Sequence, residues 1–181
     1  MSVFLAVDLD APTRTLAAGL IETHRAIWPR AKWLRTDKLH CSLVFLGHPS
    51  ADQLTAWAPA IDALASRHPS FSLTLSGAGT FSTARAASVL WLGISGMLAP
   101  LAELQRDAEA TFGLQAKEAF IPHVTLARAQ QPFTFDALVA DLSTFTSGDF
   151  EIRGLSLYES TSEVYRVIHA APLSPRRAGG R

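Results

Sequence analysis

The sequence predicts an α+β fold in which two antiparallel sheets face each other across a central cleft, with helices packed outside them. Two observations predict it. Short apolar runs typical of strands alternate with helical periodicity, in a similar order in both halves of the 181-residue chain. Each half also carries a tetrad of the form His-x-Ser/Thr-Leu, at residues 40–43 and 123–126. We interpret this repetition as a pseudo-twofold duplication that forms one bilobal unit.

Capping signals and periodicity define the elements of the first half. Asp10 is a candidate N-cap of the first helix, and Pro12 lies near its position N1. Ser50 and Gln53 have capping-box spacing ahead of the second helix, and Pro59 should kink that helix or end its first part. The predicted strands are 3–9, 32–35, 39–46 and 71–75, the predicted helices are 13–27 and 50–64, the predicted turn is 36–37, and the predicted loop is 77–84.

The second half repeats this alternation. Apolar residues from Leu101 to Phe112 share one helical face, and Gly113 is the expected C-cap of that helix. The predicted strands are 88–94, 119–127, 150–157 and 164–169, and the predicted helices are 98–112 and 135–142. The Gly- and Pro-containing segment 174–181 is basic, and we expect it to be a loose tail.

Composition excludes several classes of protein. An apolar fraction of 48% is typical of a folded globular chain, and a net charge of zero excludes a strongly basic nucleic-acid coat. Any contact with RNA or DNA should therefore be local. Cys41 is the single cysteine, so no internal disulfide is possible, which fits a reducing cytoplasm. The first apolar run lacks a basic leader and is too short for a signal or membrane segment, so we expect no membrane association.

The two tetrads are the candidate site. On a strand, side chains two residues apart point to the same face, so His40 should project with Ser42, and His123 with Thr125. One histidine in an apolar strand is most often structural, but the recurrence of the whole tetrad favours a function. Two imidazoles and two hydroxyls suit a tetrahedral anion such as a phosphate ester, since one imidazole can take a proton from water while the other protonates the leaving oxygen.

Ionisation of the two histidines should set the pH dependence of such a site. An ordinary histidine pKa near 6.5 allows one ring to be neutral and its partner protonated around neutral pH, which predicts a bell-shaped profile. The two hydroxyls can donate hydrogen bonds to the non-bridging oxygens, where charge rises in the transition state.

A metal centre is the competing use of histidine. No histidine has a second histidine or a cysteine at short ligand spacing, so we expect no metal and no other cofactor. The sequence also lacks the G-x-S-x-G elbow of serine hydrolases and the phosphate-binding loop of nucleoside triphosphatases.

Several stretches resemble the 2H phosphoesterase superfamily, and within it the LigT-like RNA 2′,3′-cyclic phosphodiesterases, which are also called 2′-5′ RNA ligases. The resemblance covers nearly everything from Ser2 to Leu173. It is carried by the opening strand at 3–7, the stretches 38–47 and 120–128 around the two tetrads, and the closing strands at 157–160 and Tyr165. One departure is Ser42, which stands where threonine is commoner.

The resemblance implies one bilobal phosphoesterase domain over residues 1–173, followed by the tail 174–181. It implies metal-independent hydrolysis of an RNA-terminal 2′,3′-cyclic phosphate to a 2′-phosphomonoester, with His40 and His123 as the acid-base pair and with Ser42 and Thr125 holding the phosphate. The implied partner is RNA with a cyclic phosphate end, with free nucleotides as further ligands. We expect a cytoplasmic monomer. The alternatives are 2′-5′ RNA ligation at the same site and a non-catalytic RNA- or nucleotide-binding module.

Phe45 and Arg128 lie five residues after the two histidines, at matching positions. The resemblance implies that Phe45 contacts a base or its ribose and that Arg128 contacts a flanking phosphate. An odd offset points away from the histidine face, so a bulge or a strand end is needed to bring either side chain round. Without one, Phe45 belongs to the core. The basic residues Arg30, Lys32, Arg35 and Lys38 form either a positive lip for the RNA backbone or an ordinary solvated edge.

Overall fold

The computed structural model describes residues 2–82, 87–115, 118–130, 134–161 and 164–176. Within these ranges the chain forms nine strands and four helices. In order they are β1 (Ser2–Asp8), α1 (Ala11–Arg25), β2 (Lys32–Trp33), β3 (His40–Gly47), α2 (Ala51–Arg67), β4 (Phe71–Ser82), β5 (Ala87–Gly96), α3 (Leu98–Thr111), β6 (His123–Gln130), α4 (Asp136–Leu142), β7 (Thr146–Ile152), β8 (Gly154–Ser160) and β9 (Tyr165–Pro172). A 3₁₀ turn at Thr36–Lys38 occupies the predicted turn.

The strands form two antiparallel sheets, as predicted. The first sheet has the order β3-β1-β8-β9, and the second has the order β2-β6-β5-β4-β7. The order β3-β1-β8-β9 corresponds to β6-β5-β4-β7, so the two tetrad strands, β3 and β6, hold equivalent positions. The sheets do not follow the halves of the chain, because β8 and β9 return to the first sheet and β2 joins the second.

The N-terminal signals of α1 and α2 are confirmed, whereas the C-cap of α3 is Phe112, one residue before the predicted Gly113. The Asp10 carboxylate accepts a hydrogen bond from the Thr13 N–H at 2.9 Å, and Ser50 and Gln53 form both bonds of the capping box. Helix α2 continues through Pro59 and does not end there. Pro59 is exposed, so the helix carbonyl left without a donor lies on the solvent side, where water can satisfy it.

Several predicted boundaries are wrong. The single strand predicted at 150–157 is two strands, β7 and β8, which lie in different sheets. The strand predicted from residue 119 begins at His123, directly after Pro122, whose missing N–H cannot join a ladder. The loop predicted at 77–84 is strand as far as Ser82, and its last two residues lie outside the described ranges. Gly79 interrupts the apolar alternation of this strand because the Trp91 ring occupies the space of a side chain. A Cβ at Gly79 would lie 2.3 Å from that ring.

The main core lies between the sheets and the helices, whereas a separate apolar cluster lies on the cleft side of the first sheet. Strand β1 alternates accordingly: Leu5 joins the main core, while Phe4 and Ala6 pack with Tyr158 in the smaller cluster. The cleft wall is therefore aromatic. No helix of the described residues is long and apolar enough to cross a membrane.

The segment predicted as a loose tail begins with an attached residue. The Ser174 N–H donates to the His68 carbonyl at 2.9 Å, and the Ser174 carbonyl accepts from the Ser70 N–H at 2.8 Å. Residues 177–181 of the predicted tail lie outside the described ranges. The boundary at 173 stays a prediction.

Candidate active site

Both tetrads line one cavity of about 190 Å³ between the two sheets. Its lining includes every site residue predicted from the sequence: His40, Ser42, Phe45, His123, Thr125 and Arg128. The strands β3 and β6 that carry these residues also contact each other. The cavity is therefore built from two sheets, and each sheet supplies one imidazole and one hydroxyl.

The strand geometry explains how Phe45 and Arg128 reach this cavity. In the β1–β3 ladder, Ala6 is opposite Ser42 and Leu5 is opposite Val44, so the ladder skips one residue of β3. In the β5–β6 ladder, Trp91 is opposite Thr125 and the next pair is Leu90 with Ala127. Each tetrad strand thus has a bulge at the third and fourth residues after its histidine.

These bulges reverse the alternation of side chains. Leu43 and Val44 are consecutive and both buried, as are Leu126 and Ala127. The next residue of each strand then turns to the histidine side: Phe45 is 69% exposed and its ring lies 5.7 Å from that of Phe4. Phe45 is therefore a cleft residue and not a core residue. Arg128 is exposed at the equivalent place in β6.

Both imidazoles are held by the same local contact. His40 Nδ1 lies 2.8 Å from the Lys38 carbonyl oxygen, and His123 Nδ1 lies 2.8 Å from that of Ile121. A carbonyl can only accept, so Nδ1 carries the hydrogen in both rings, and Nε2 of each neutral ring is an acceptor. The Ser42 hydroxyl, whose Oγ is 2.9 Å from His40 Nε2, accordingly donates to it.

Aromatic rings contact both imidazoles. His40 stacks on Phe4 at a centroid distance of 4.7 Å, and Tyr165 meets it edge-on at 5.6 Å. The Phe81 ring approaches His123 edge-on at 4.9 Å. Sequence reasoning gave Phe4 and Phe81 no role in the site. The alternation along β1 could have indicated Phe4, while Phe81 fell in the segment predicted as a loop.

Burial disfavours the charged form of both histidines. It lowers the pKa of His40 to about 4, with Arg14 and His123 adding to the effect and the Lys38 carbonyl and Asp8 opposing it. Burial also lowers the pKa of His123, where Arg128 adds to the effect and the Ile121 carbonyl opposes it. Without an anion in the cavity, both rings are therefore neutral at neutral pH. This differs from the expectation of one neutral and one protonated ring.

Asp8 supplies negative charge behind the first imidazole. It lies directly opposite His40 in the β1–β3 ladder. Its carboxylate accepts hydrogen bonds from the Ser156 hydroxyl at 2.6 Å and from the Tyr158 hydroxyl at 2.5 Å. Sequence reasoning assigned no role to this carboxylate.

Cys41 faces the interior beside the site. Its side chain is 1% exposed, and burial raises the pKa of its thiol to about 12, opposed by a hydrogen bond from the His123 main chain. Cys41 is therefore a neutral thiol that packs between the tetrad strands. No group of three His, Cys, Asp or Glu side chains that could hold a metal ion occurs among the residues placed by the structure.

The comparisons with known proteins agree with this geometry. The sequence profile of the 2′-5′ RNA ligase superfamily matches residues 3–163, which include both tetrads. The RNA 2′,3′-cyclic phosphodiesterase of Thermotoga maritima is 27% identical over 176 residues, covering 93% of this chain and 94% of that protein. The protein of the same name from Escherichia coli is 36% identical over 133 residues, covering 70% of each chain.

Solved structures share the fold. The crystal structure of E. coli LigT complexed with 3′-AMP matches with a TM-score of 0.71 and 26% identity, covering 96% of this chain and 98% of that one. The resemblance to the LigT-like 2H phosphoesterases is thereby confirmed. Since the profile match spans most of the sequence and both tetrad strands, the chain belongs to the 2′-5′ RNA ligase superfamily.

Proposed function

We propose that this protein hydrolyses RNA-terminal 2′,3′-cyclic phosphates to 2′-phosphomonoesters by two-histidine acid-base catalysis without a metal. One observation carries the proposal: two His-hydroxyl pairs from different sheets line a single cavity, and both imidazoles are tethered through Nδ1, which leaves Nε2 for proton transfer. The relatives named RNA 2′,3′-cyclic phosphodiesterase support the reaction. The 3′-AMP complex of LigT supports a nucleotide in the cavity.

In the proposed mechanism His123 is the base and His40 is the acid. His123 Nε2 takes a proton from the water that attacks phosphorus, and protonated His40 gives its Nε2 proton to the departing O3′. The fixed charges around the two rings support this assignment. Asp8 raises the pKa of His40 and so favours its imidazolium, and its effect is larger than the lowering by either Arg14 or His123. Arg128 lowers the pKa of His123 and so favours its neutral ring.

The remaining residues of the cavity bind the substrate. Ser42 and Thr125 donate hydrogen bonds to the non-bridging phosphate oxygens, and for this the Ser42 hydroxyl gives up its hydrogen bond to His40 Nε2. The guanidinium of Arg128 pairs with phosphate charge, and the exposed ring of Phe45 packs on the terminal base or ribose. The bound anion also favours uptake of the proton that His40 needs.

The test is turnover of 2′,3′-cyclic AMP and of cyclic-ended RNA in excess EDTA, with the product position read by phosphorus NMR. We expect a 2′-phosphate, and loss of turnover in His40→Ala and in His123→Ala but not in His48→Ala, which changes an exposed histidine outside the cavity. A 3′-phosphate product, or turnover abolished by EDTA, contradicts the mechanism. Tight binding without turnover indicates the non-catalytic module instead.

In 2′-5′ ligation at the same site, a ribose hydroxyl would attack the cyclic phosphate in place of water. Water is in great excess over a ribose hydroxyl, so hydrolysis dominates unless water is excluded.

As part of the proposal, the protein acts as a cytoplasmic monomer. The single, fully buried thiol supports a reducing compartment, and a cavity completed within one chain needs no second copy. Size-exclusion chromatography with light scattering checks the monomer.

A further inference from the structure

A second cavity, of about 310 Å³, adjoins the reaction cavity. The two cavities share four lining residues: Leu34, Lys38, Arg128 and Tyr165. The second cavity is completed by Lys32, Trp33 and Arg35 on and beside β2, the short strand paired with β6. The other two cavities described for this chain share no lining residue with the reaction cavity. A ligand longer than one nucleotide therefore has a continuous path into this second cavity.

Three cations around the second cavity have no carboxylate partner among the residues that the structure describes. Lys32 is directly opposite Arg128 in the β2–β6 ladder, an arrangement of like charges that is unfavourable without an anion between them. Neither of them, nor Lys38, pairs with a carboxylate of the residues that the structure describes. Arg35 is different, because its guanidinium makes two hydrogen bonds to Asp37, at 3.1 and 2.8 Å. The cavity thus presents net positive charge from two neighbouring strands and the 3₁₀ turn.

Aromatic rings in the same walls are fixed in position. The Trp33 indole N–H donates to the Trp28 carbonyl at 3.3 Å. The Tyr165 ring lies under the Lys38 ammonium, 4.5 Å from its centroid, and meets the Phe4 ring edge-on. Fixed aromatic rings next to cations that are not paired with described carboxylates match the composition of a nucleotide, in which a base stacks and a phosphate binds cations.

The direction in which the RNA chain runs from its cyclic end indicates which part of the substrate the second cavity binds. An RNA that ends in a 2′,3′-cyclic phosphate continues only from the 5′ oxygen of its last nucleoside, so its chain leaves the reaction cavity on one side. We propose that the second cavity binds the phosphodiester and the nucleoside immediately 5′ to the cyclic end, with Lys32 and Arg128 on the phosphate and Trp33 on the base. This inference rests on the proposed function. It predicts that the enzyme prefers oligonucleotides to mononucleotides.

The preference is measured as the ratio of kcat/KM for a cyclic-ended dinucleotide to kcat/KM for a 2′,3′-cyclic mononucleotide. We expect this ratio to exceed about ten for the unmodified protein, and Lys32→Gln to lower it about tenfold, the size of one charge-assisted hydrogen bond. Lys32→Arg should restore the ratio. Arg106→Gln removes the same charge from an exposed site of α3 outside both cavities and should leave the ratio unchanged. Lys32→Gln should also reduce the salt slope of log kcat/KM for the dinucleotide by about 0.7.

The outcomes separate this inference from the proposed function. Turnover of both substrates with equal kcat/KM, or a ratio that Lys32→Gln does not change, overturns the second site and leaves the hydrolase intact. Failure of the unmodified protein to hydrolyse either substrate overturns the proposed function and this inference with it. Turnover of the mononucleotide by Lys32→Gln shows that the variant is folded, so a reduced ratio in that variant supports the second site.

Discussion

Acidification should destabilise this protein through His40. The pKa of this side chain falls from an ordinary 6.5 to about 4 on folding, mainly because burial disfavours the imidazolium. Between these two values the unfolded chain binds a proton that the folded chain does not. The free energy of unfolding therefore falls as the pH is lowered through this window, and it is unaffected by His40 well above pH 6.5.

The magnitude follows from the two pKa values. At about pH 5 most unfolded chains carry the proton on His40 and few folded chains do, which corresponds to a loss of about 2 kcal/mol relative to about pH 7.5. Other carboxylates and histidines also titrate in this range. The His40 contribution is isolated as the difference between the pH dependence of the unmodified protein and that of His40→Gln.

Urea unfolding followed by tryptophan fluorescence at both pH values measures this difference. His40→Gln should lose about 2 kcal/mol less on acidification than the unmodified protein, whatever its stability at neutral pH. His48→Gln changes an exposed histidine and serves as the matched control. An equal pH dependence in the unmodified protein and His40→Gln would refute the inference that burial keeps the His40 ring neutral, and with it the account of substrate-induced proton uptake.

Three further predictions concern catalysis and packing. His40→Ala and His123→Ala should each lower kcat about 10²- to 10⁴-fold, measured by single-turnover hydrolysis of cyclic-ended RNA, and near-full activity of either variant would exclude acid-base roles. The optimum of kcat/KM should lie on the acid side of pH 6.5, since burial lowers the pKa values of both histidines in the free enzyme. The optimum of kcat should lie at higher pH, because bound phosphate raises both pKa values; coincident optima would contradict this. Gly79→Ala places a methyl group 2.3 Å from the Trp91 ring and should destabilise the protein by about 1–3 kcal/mol in urea unfolding, whereas Gly148→Ala, with no atom within 4 Å, should not.

The sequence predicted the chemistry of the site better than its surroundings. His40 and Ser42, and His123 and Thr125, were predicted to share faces because strand alternation depends only on neighbouring residues. The odd offset of Phe45 and Arg128 showed that a bulge was needed to bring them to the histidine side, but not where it lies. Leu43-Val44 and Leu126-Ala127 are equally typical of a regular apolar strand. The two consecutive buried residues in each strand indicate a bulge only once the ladder registers are known.

Long-range pairing was the part that local patterns could not supply. The run at 150–157 was predicted as one strand because apolar residues recur along it at Phe150, Ile152, Leu155 and Leu157, yet the chain crosses from one sheet to the other within it. Nothing in that run identifies β4 and β1 as the partners of its two parts. The lowered histidine pKa values were also missed, because burial of a polar ring depends on aromatic neighbours from distant strands such as Phe4 and Phe81.

The pairing of β1 with β8 has a consequence for biosynthesis. Strand β1 is synthesised before the other strands of its sheet, yet one of its two neighbours, β8, includes Ser156, which lies 148 residues beyond Asp8. Until then β1 can pair only with β3, and its other edge is open to pairing with another chain. Closure of such distant contacts slows folding. Nascent chains stalled before Gly154 should therefore depend on chaperones, and enzymatic competence should appear only after β8 has left the ribosome.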